Sequence, residues 1–205
     1  MTCPVVELRQ YTLHPGRRDD LIELFDREFV ETQEQTGMAV LGQFRDVRRP
    51  DRFVWLRGFP SMPDRAKSLA AFYGGPVWEA HRDEANATMA TFDDVLLLRP
   101  VPPGTGLPLA GSRTDEAPAS RILATLHFAD EPFQEFPQPD LPPLACFTTE
   151  YAQNTFPALP VREGEHVFVW FARFDNQAAA EDYLATRAGS EPFLLLAPTA
   201  RSLLR

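Results

Sequence analysis

The residues Phe53-Val-Trp-Leu-Arg-Gly-Phe59 return as Phe168-Val-Trp-Phe-Ala-Arg-Phe174, and Leu96-Leu-Leu-Arg-Pro100 returns as Leu194-Leu-Leu-Ala-Pro198. The chain is an internal duplication. A unit of roughly a hundred residues is far longer than a solenoid repeat, so each copy forms a small half of its own and the halves pack on each other. Phe53 to Phe59 is apolar on both faces, as in a strand covered on both sides: helices pack on one face and the other half of the molecule on the opposite face.

Working outward from that strand, Val5 to Leu13 is rich in β-branched and apolar residues and stops at His14-Pro15-Gly16, a turn signal. Leu21, Phe25, Phe29 and Thr32 then recur at helical spacing, and Gly37 supplies the stop. Met38 to Val47 and Arg52 to Phe59 form a hairpin across Pro50-Asp51. Ser61 and Asp64 make a capping-box-like start for a helix through Tyr73, and Gly74-Gly75 interrupts it. Pro76 opens a further helical stretch that places Val77, Trp78, His81, Ala85 and Met89 on one side, and Phe92 to Arg99 is the closing strand. The order β-α-β-β-α-β is that of the ferredoxin-like plait, an α+β fold.

Residues 1–100 are thus the first half, and 101–120, with Pro100, Pro102, Pro103, Pro108 and Pro118 in or beside the segment, is a Pro/Gly-rich linker. Residues 121–205 are a degenerate second half, with strands at Arg121 to Phe128, Leu144 to Tyr151, Glu165 to Phe174 and Phe193 to Leu196, and a helix from Asn176 to Arg187. Its first helix is missing. Pro132, Pro137, Pro139, Pro142 and Pro143 occupy that place, and each interior proline costs a helix about 3 kcal/mol.

A chain with 44% hydrophobic and 24% charged residues has ample material for a core. Its formal charge of −9 opposes binding to polyanions, which excludes nucleic acid and anionic membrane as expected partners. Cys3 and Cys146 are isolated, with neither disulfide nor thiolate-metal spacing. The N-terminal run MTCPVVELRQ enters a strand without a basic region followed by an apolar one, and no stretch of about 18 apolar residues occurs, so a cytoplasmic protein is expected.

The run Val6-Glu-Leu-Arg-Gln-Tyr-Thr-Leu-His-Pro-Gly16 resembles the opening Glu-Leu-Arg-x-Tyr-x-Leu-x-Pro-Gly pattern of the NIPSNAP family. Phe53 to Phe59 and Phe72-Tyr-Gly-Gly-Pro-Val-Trp-Glu-Ala-His-Arg82 look like its later motifs; the resemblance is close over residues 5–100 and loose over 121–198. It implies the dimeric α+β barrel, here a single-chain pseudo-dimer that supplies both sheets. Barrel closure then needs no second copy, so the chain is expected to be a monomer or a dimer through other surfaces.

That fold class hosts cofactor-independent monooxygenases, haem-dependent enzymes, isomerases and non-catalytic relatives, so the site must speak for the chemistry. His81, on the apolar face of its helix and expected to face the sheet, is the candidate catalytic acid or base. Arg57 shares a strand face with Trp55 and needs a buried partner or an anionic ligand; its counterpart in the repeat is Ala172. Tyr11 and Tyr73 are possible proton donors, and Trp55 and Trp78, with Phe53 and Phe72, are walls for an apolar pocket.

The histidines at 14, 81, 127 and 166 show no metal-ligand spacing, and no phosphate loop, nucleophile elbow or dinucleotide fingerprint occurs, so no cofactor is called for. His81 and His166 stay open as haem ligands. The expectation is a protein that binds a small apolar or aromatic molecule in a pocket of the first half, with acid/base or cofactor-independent oxygen chemistry if it is an enzyme. The alternative is a non-catalytic protein-interaction module.

Overall fold

Strand β1 (Val5–Leu13) is buried along almost its whole length but has two unlike faces. Val6 and Leu8 point into one apolar cluster, whereas Val5, Tyr11 and Leu13 point into another. A computed structural model, describing residues 3–187 and 192–205, shows why. Met1 and Thr2, the head of the N-terminal run, lie outside the described residues.

The first half continues with α1 (Arg18–Leu24), a π-helical turn (Phe25–Phe29) and α2 (Val30–Gln35), one unbroken helical path that Gly37 ends at φ +96. Strands β2 (Ala39–Asp46) and β3 (Arg52–Phe59) follow. Helix α3 (Met62–Tyr73) starts where the Ser61 hydroxyl accepts from the Asp64 amide at 3.1 Å, and stops at Gly74. Helix α4 (Pro76–Asn86) and strand β4 (Met89–Val101) complete the half. Met89 therefore begins a strand; it does not extend the helical face assigned to it from its spacing.

The second half has β5 (Arg121–Ala129), β6 (Ala145–Thr149), β7 (His166–Phe174), α5 (Gln177–Thr186) and β8 (Phe193–Pro198). No helix lies between β5 and β6, where the prolines stand.

The strands close into a single barrel in the order β1-β3-β2-β8-β5-β7-β6-β4. Each half contributes the ferredoxin-like order, last strand beside first, first beside third and third beside second. The two seams repeat each other: Pro198 faces Phe44 where β8 meets β2, and Pro100 faces Phe147 where β4 meets β6. Phe44 and Phe147 both fill the interior with Val54, Leu56, Leu96, Val169, Phe171 and Leu194. The inside of the barrel is a packed core.

Outside it, α1, the π turn, α2 and α3 cover the first sheet through Phe25, Phe29, Leu69 and Phe72. On the second sheet Phe168 and Trp170 have a thinner cover, from Phe133, Leu141 and Phe174, and Phe136 stacks on Phe168 at 5.0 Å while remaining 40% exposed. Among the described residues no helix is long and apolar enough to cross a membrane.

Within the π turn, Asp26 accepts from the Gln43 amide at 3.2 Å, and burial pushes its carboxyl up to about 6 despite the charge of Arg201. A carboxyl raised on folding binds its proton more readily in the native state than in the unfolded chain. Stability should therefore rise as pH falls through about 6 towards the unfolded value of about 3.9. The expected gain is about 1–2 kcal/mol, read as the difference between the native protein and Asp26→Asn in urea titrations at pH 7 and pH 5. Equal pH dependence in the two proteins would refute it.

Candidate functional site

Alternation along β1 puts Glu7, Arg9 and Tyr11 on its helix-facing side, and antiparallel pairing sets Glu7 opposite Arg57 and Arg9 opposite Trp55. The Glu7 carboxylate is fully buried and accepts from three guanidinium groups: Arg9 Nη1 at 2.6 Å, Arg57 Nε at 2.7 Å and Arg65 Nε at 2.6 Å. Desolvation alone would push the Glu7 carboxyl up, but the charges of Arg57, Arg9 and Arg65 outweigh it and hold it well below the usual carboxylate range.

Three cations around one anion leave a surplus of positive charge. The guanidinium of Arg9 lies over the rings of Tyr11 and Trp55, and that of Arg57 over Trp55, Phe59 and Tyr73, which disperses part of it. The Nη2 atoms of Arg9, Arg57 and Arg65 nevertheless have no hydrogen-bond partner among the described residues.

Two of these cations reach on to phenols. Arg9 Nε donates to Tyr11 Oη at 3.0 Å, and Arg57 Nη1 donates to Tyr73 Oη at 3.4 Å and to Gln33 Oε1 at 3.3 Å. Burial pushes the Tyr11 phenol up, against the opposing charge of Arg9, so it keeps its proton near neutral pH. With the oxygen accepting from a guanidinium, its hydrogen is left to point at something else.

Both tyrosines line a cavity of about 280 Å³. Trp78, Met89 and Phe92 form its apolar walls and Asn86 adds one amide; none of the lining residues is charged. A second, smaller cavity of about 30 Å³ shares Tyr11, Tyr73, Trp78 and Met89 with it and is lined on its other sides by Trp55, Phe25, Phe29 and Ala85. π-Helical turns recur at functional sites because they widen a helix locally and re-aim its side chains.

The remaining wall, Phe156, Ala158 and Leu159, belongs to the segment between β6 and β7 of the second half. Arg65 fastens that segment: its Nη1 donates to Asn154 Oδ1 at 2.9 Å and to Thr155 Oγ1 at 3.2 Å, while Phe156 stacks on Tyr73. The pocket expected to belong to the first half is closed by the second, and the residue that ties the closure down is also bound to Glu7.

Of the residues singled out from sequence, Tyr11, Tyr73 and Trp78 meet at this cavity, Trp55 lines the smaller one beside it, and Arg57 stands one hydrogen bond behind it. His81 is placed elsewhere. It was expected to face the sheet, but it faces the π turn, 3.7 Å from Glu28 and 3.6 Å from Glu84, because the apolar side of α4 meets a neighbouring helix before it meets a strand. Glu7, Arg9 and Arg65 were missed. Glu7, Arg9 and Tyr11 are spaced two apart, which in a strand puts all three on one face, and that polar triplet under a helical layer was the available signal. Among the described residues there is no group of three or more His, Cys, Asp or Glu that could hold a metal ion.

An antiparallel sheet closed on itself, with two ferredoxin-like halves and helices outside, defines the single-chain form of the dimeric α+β barrel. Residues 6–102 match the NIPSNAP family, and the first half of the chain is a NIPSNAP domain. A NIPSNAP-like domain protein from Burkholderia xenovorans is 25% identical, covering 51% of this chain and 90% of its own, with a TM-score of 0.46. Over the whole length the chain is similar to two proteins provisionally assigned as monooxygenases. One, from Fusobacterium nucleatum, is 6% identical, covers 96% of this chain and 93% of its own, and has a TM-score of 0.55. The other, from Lactobacillus acidophilus, is 11% identical, covers 96% and 94%, and has a TM-score of 0.52. At such identities the likeness is one of fold. No curated protein matches the chain.

Proposed function

We propose that this protein binds a small, flat, largely apolar molecule in the cavity between its first sheet, its helices and the Asn154–Leu159 segment, and holds an oxygen of that molecule with the phenols of Tyr11 and Tyr73. The carrying observation is the pair of phenols on the cavity wall, each accepting from a buried guanidinium. Such phenols are donors fixed in advance, the arrangement that stabilises charge developing on a carbonyl oxygen. They suit holding and polarising an oxygen of an aromatic ligand by two hydrogen bonds. Arg57 and Trp55 position this machinery, and His81 has no part in this reading. The buried free thiol of Cys3 and the acidic composition fit a cytoplasmic setting.

The second half argues for function over architecture. By strand register and helix cap, the places of Glu7, Arg9, Arg57 and Arg65 are held there by Leu123, Thr125, Ala172 and Ala180. The fold accommodates apolar and small residues at these positions, so the charges serve something else.

The test is calorimetric titration with a neutral naphthyl ketone. Binding should be weakened up to tenfold by Tyr11→Phe or Tyr73→Phe, the worth of one neutral hydrogen bond, and abolished by Leu159→Trp, which fills the cavity. Unchanged affinity in Leu159→Trp would place binding elsewhere and refute the assignment. A second reading, a docking module, draws on Phe128 and Phe136, 39% and 40% exposed on the thinly covered second half. It would be favoured if no flat ketone binds and a bound protein partner is released by Phe136→Ser.

A further inference from the structure

The charge behind the cavity narrows the ligand class beyond a flat apolar molecule. We infer that the natural ligand is an acid bound as its anion, an apolar ring system whose carboxylate accepts from Tyr11 and Tyr73; this rests on the cavity reading above. Arg9, Arg57 and Arg65 share one carboxylate, Glu7, and among the described residues none of them pairs with a second acidic side chain. All three are fully buried, and each retains an Nη2 without a hydrogen-bond partner. The surplus is therefore screened by neither solvent nor a second protein anion. It lies one hydrogen bond from the cavity, at 3.0 Å through Tyr11 and 3.4 Å through Tyr73.

The cavity wall itself offers no charge of either sign, and the nearest charges shown behind its two phenols are those of this cluster. A neutral ligand would leave that positive charge unused. An anion is attracted by it while its oxygens take the phenol hydrogens, and a charge-assisted bond is stronger than a neutral one. The aromatic walls of Trp78, Phe92 and Phe156 cover the apolar body of the same molecule. Glu7 is the counterweight: without it three buried guanidinium groups would repel one another, and with it the cluster remains cationic.

The experiment compares 2-naphthoate with 2-naphthamide, which share ring and shape and differ in charge, by calorimetry at neutral pH on the intact chain. The expected result is at least tenfold tighter binding of the naphthoate. In Arg57→Met, and in Tyr11→Phe/Tyr73→Phe, which leaves the Glu7 ion pairs in place should Arg57→Met fail to fold, that preference should shrink towards unity while the amide loses less. Equal affinity for the two probes, or tighter binding of the amide, would overturn the anion and leave the cavity reading standing. If the naphthoate preference survives in Leu159→Trp, selection by charge arises outside the cavity and the inference is wrong. Failure of both probes to bind would overturn the cavity reading along with it.

Discussion

Glu7→Ala is expected to be the most damaging single substitution in this protein, costing about 3–5 kcal/mol and leaving little folded material at ambient temperature. The reason is asymmetric. Removing the carboxylate deletes three short ion pairs and leaves Arg9, Arg57 and Arg65 buried, mutually repelling and without an anion. Guanidinium groups cannot escape by deprotonating as a lysine would. The measurement is the midpoint of urea unfolding, and a loss under 1 kcal/mol would show that the cluster is far less tightly coupled than its geometry states.

The acid limb of the stability profile should carry the same signature. A carboxyl lowered on folding contributes stability that is fully present above its unfolded pKa of about 4.3 and is lost as pH falls through the much lower folded value. Glu7 therefore gives way only in strong acid. Asp26 acts with the opposite sign above that range, so its contribution improves between about pH 6 and pH 4 before the Glu7 cluster fails.

Trp55→Ala should cost about as much, 3–5 kcal/mol by roughly the usual price of truncating a buried aromatic ring. Trp55 is 2% exposed, with Phe25 at 4.8 Å and Tyr11 at 5.9 Å in edge-on contact. It is also the surface on which Arg9 and Arg57 lie, at 5.6 Å and 5.0 Å. Its removal opens a space beside the smaller cavity and takes from Arg9 and Arg57 one of the aromatic faces each lies on, leaving Tyr11 to the first and Phe59 and Tyr73 to the second. Because Glu7 and Trp55 share both arginines, their effects should not add; a double-mutant cycle should give a coupling of about 0.5–3 kcal/mol. Full additivity would mean that the rings contribute packing alone.

The site was legible in pieces. Tyr11, Tyr73 and Trp78 stood out as polar or amphipathic aromatics in motif-like runs, and they do meet at one cavity. Arg57 announced itself as a charge on a strand apolar on both faces. Its partner did not, because Glu7 lies fifty positions earlier and becomes its neighbour through the β1–β3 register alone. His81 shows the opposite failure: helical periodicity identifies an apolar side of α4 but is silent on whether that side meets a sheet or another helix, and here it meets the π turn. The part of the wall built from Phe156 and Leu159 was out of reach for the same reason, since a segment of the second half crosses onto the first through Asn154 and Arg65.

By itself the sequence determined that the chain is two similar α+β halves, where their strands and helices run, and that prolines deny the second half its first helix. These follow from neighbouring residues: side-chain period, turn chemistry and the missing amide of proline act over a few positions. The tertiary structure alone decided that the barrel interior is solid, that three arginines converge on one glutamate, and that the second half closes the cavity of the first. Those outcomes depend on which strands pair and in what register, a choice set by the summed burial of both sheets over the whole chain, which no local stretch encodes.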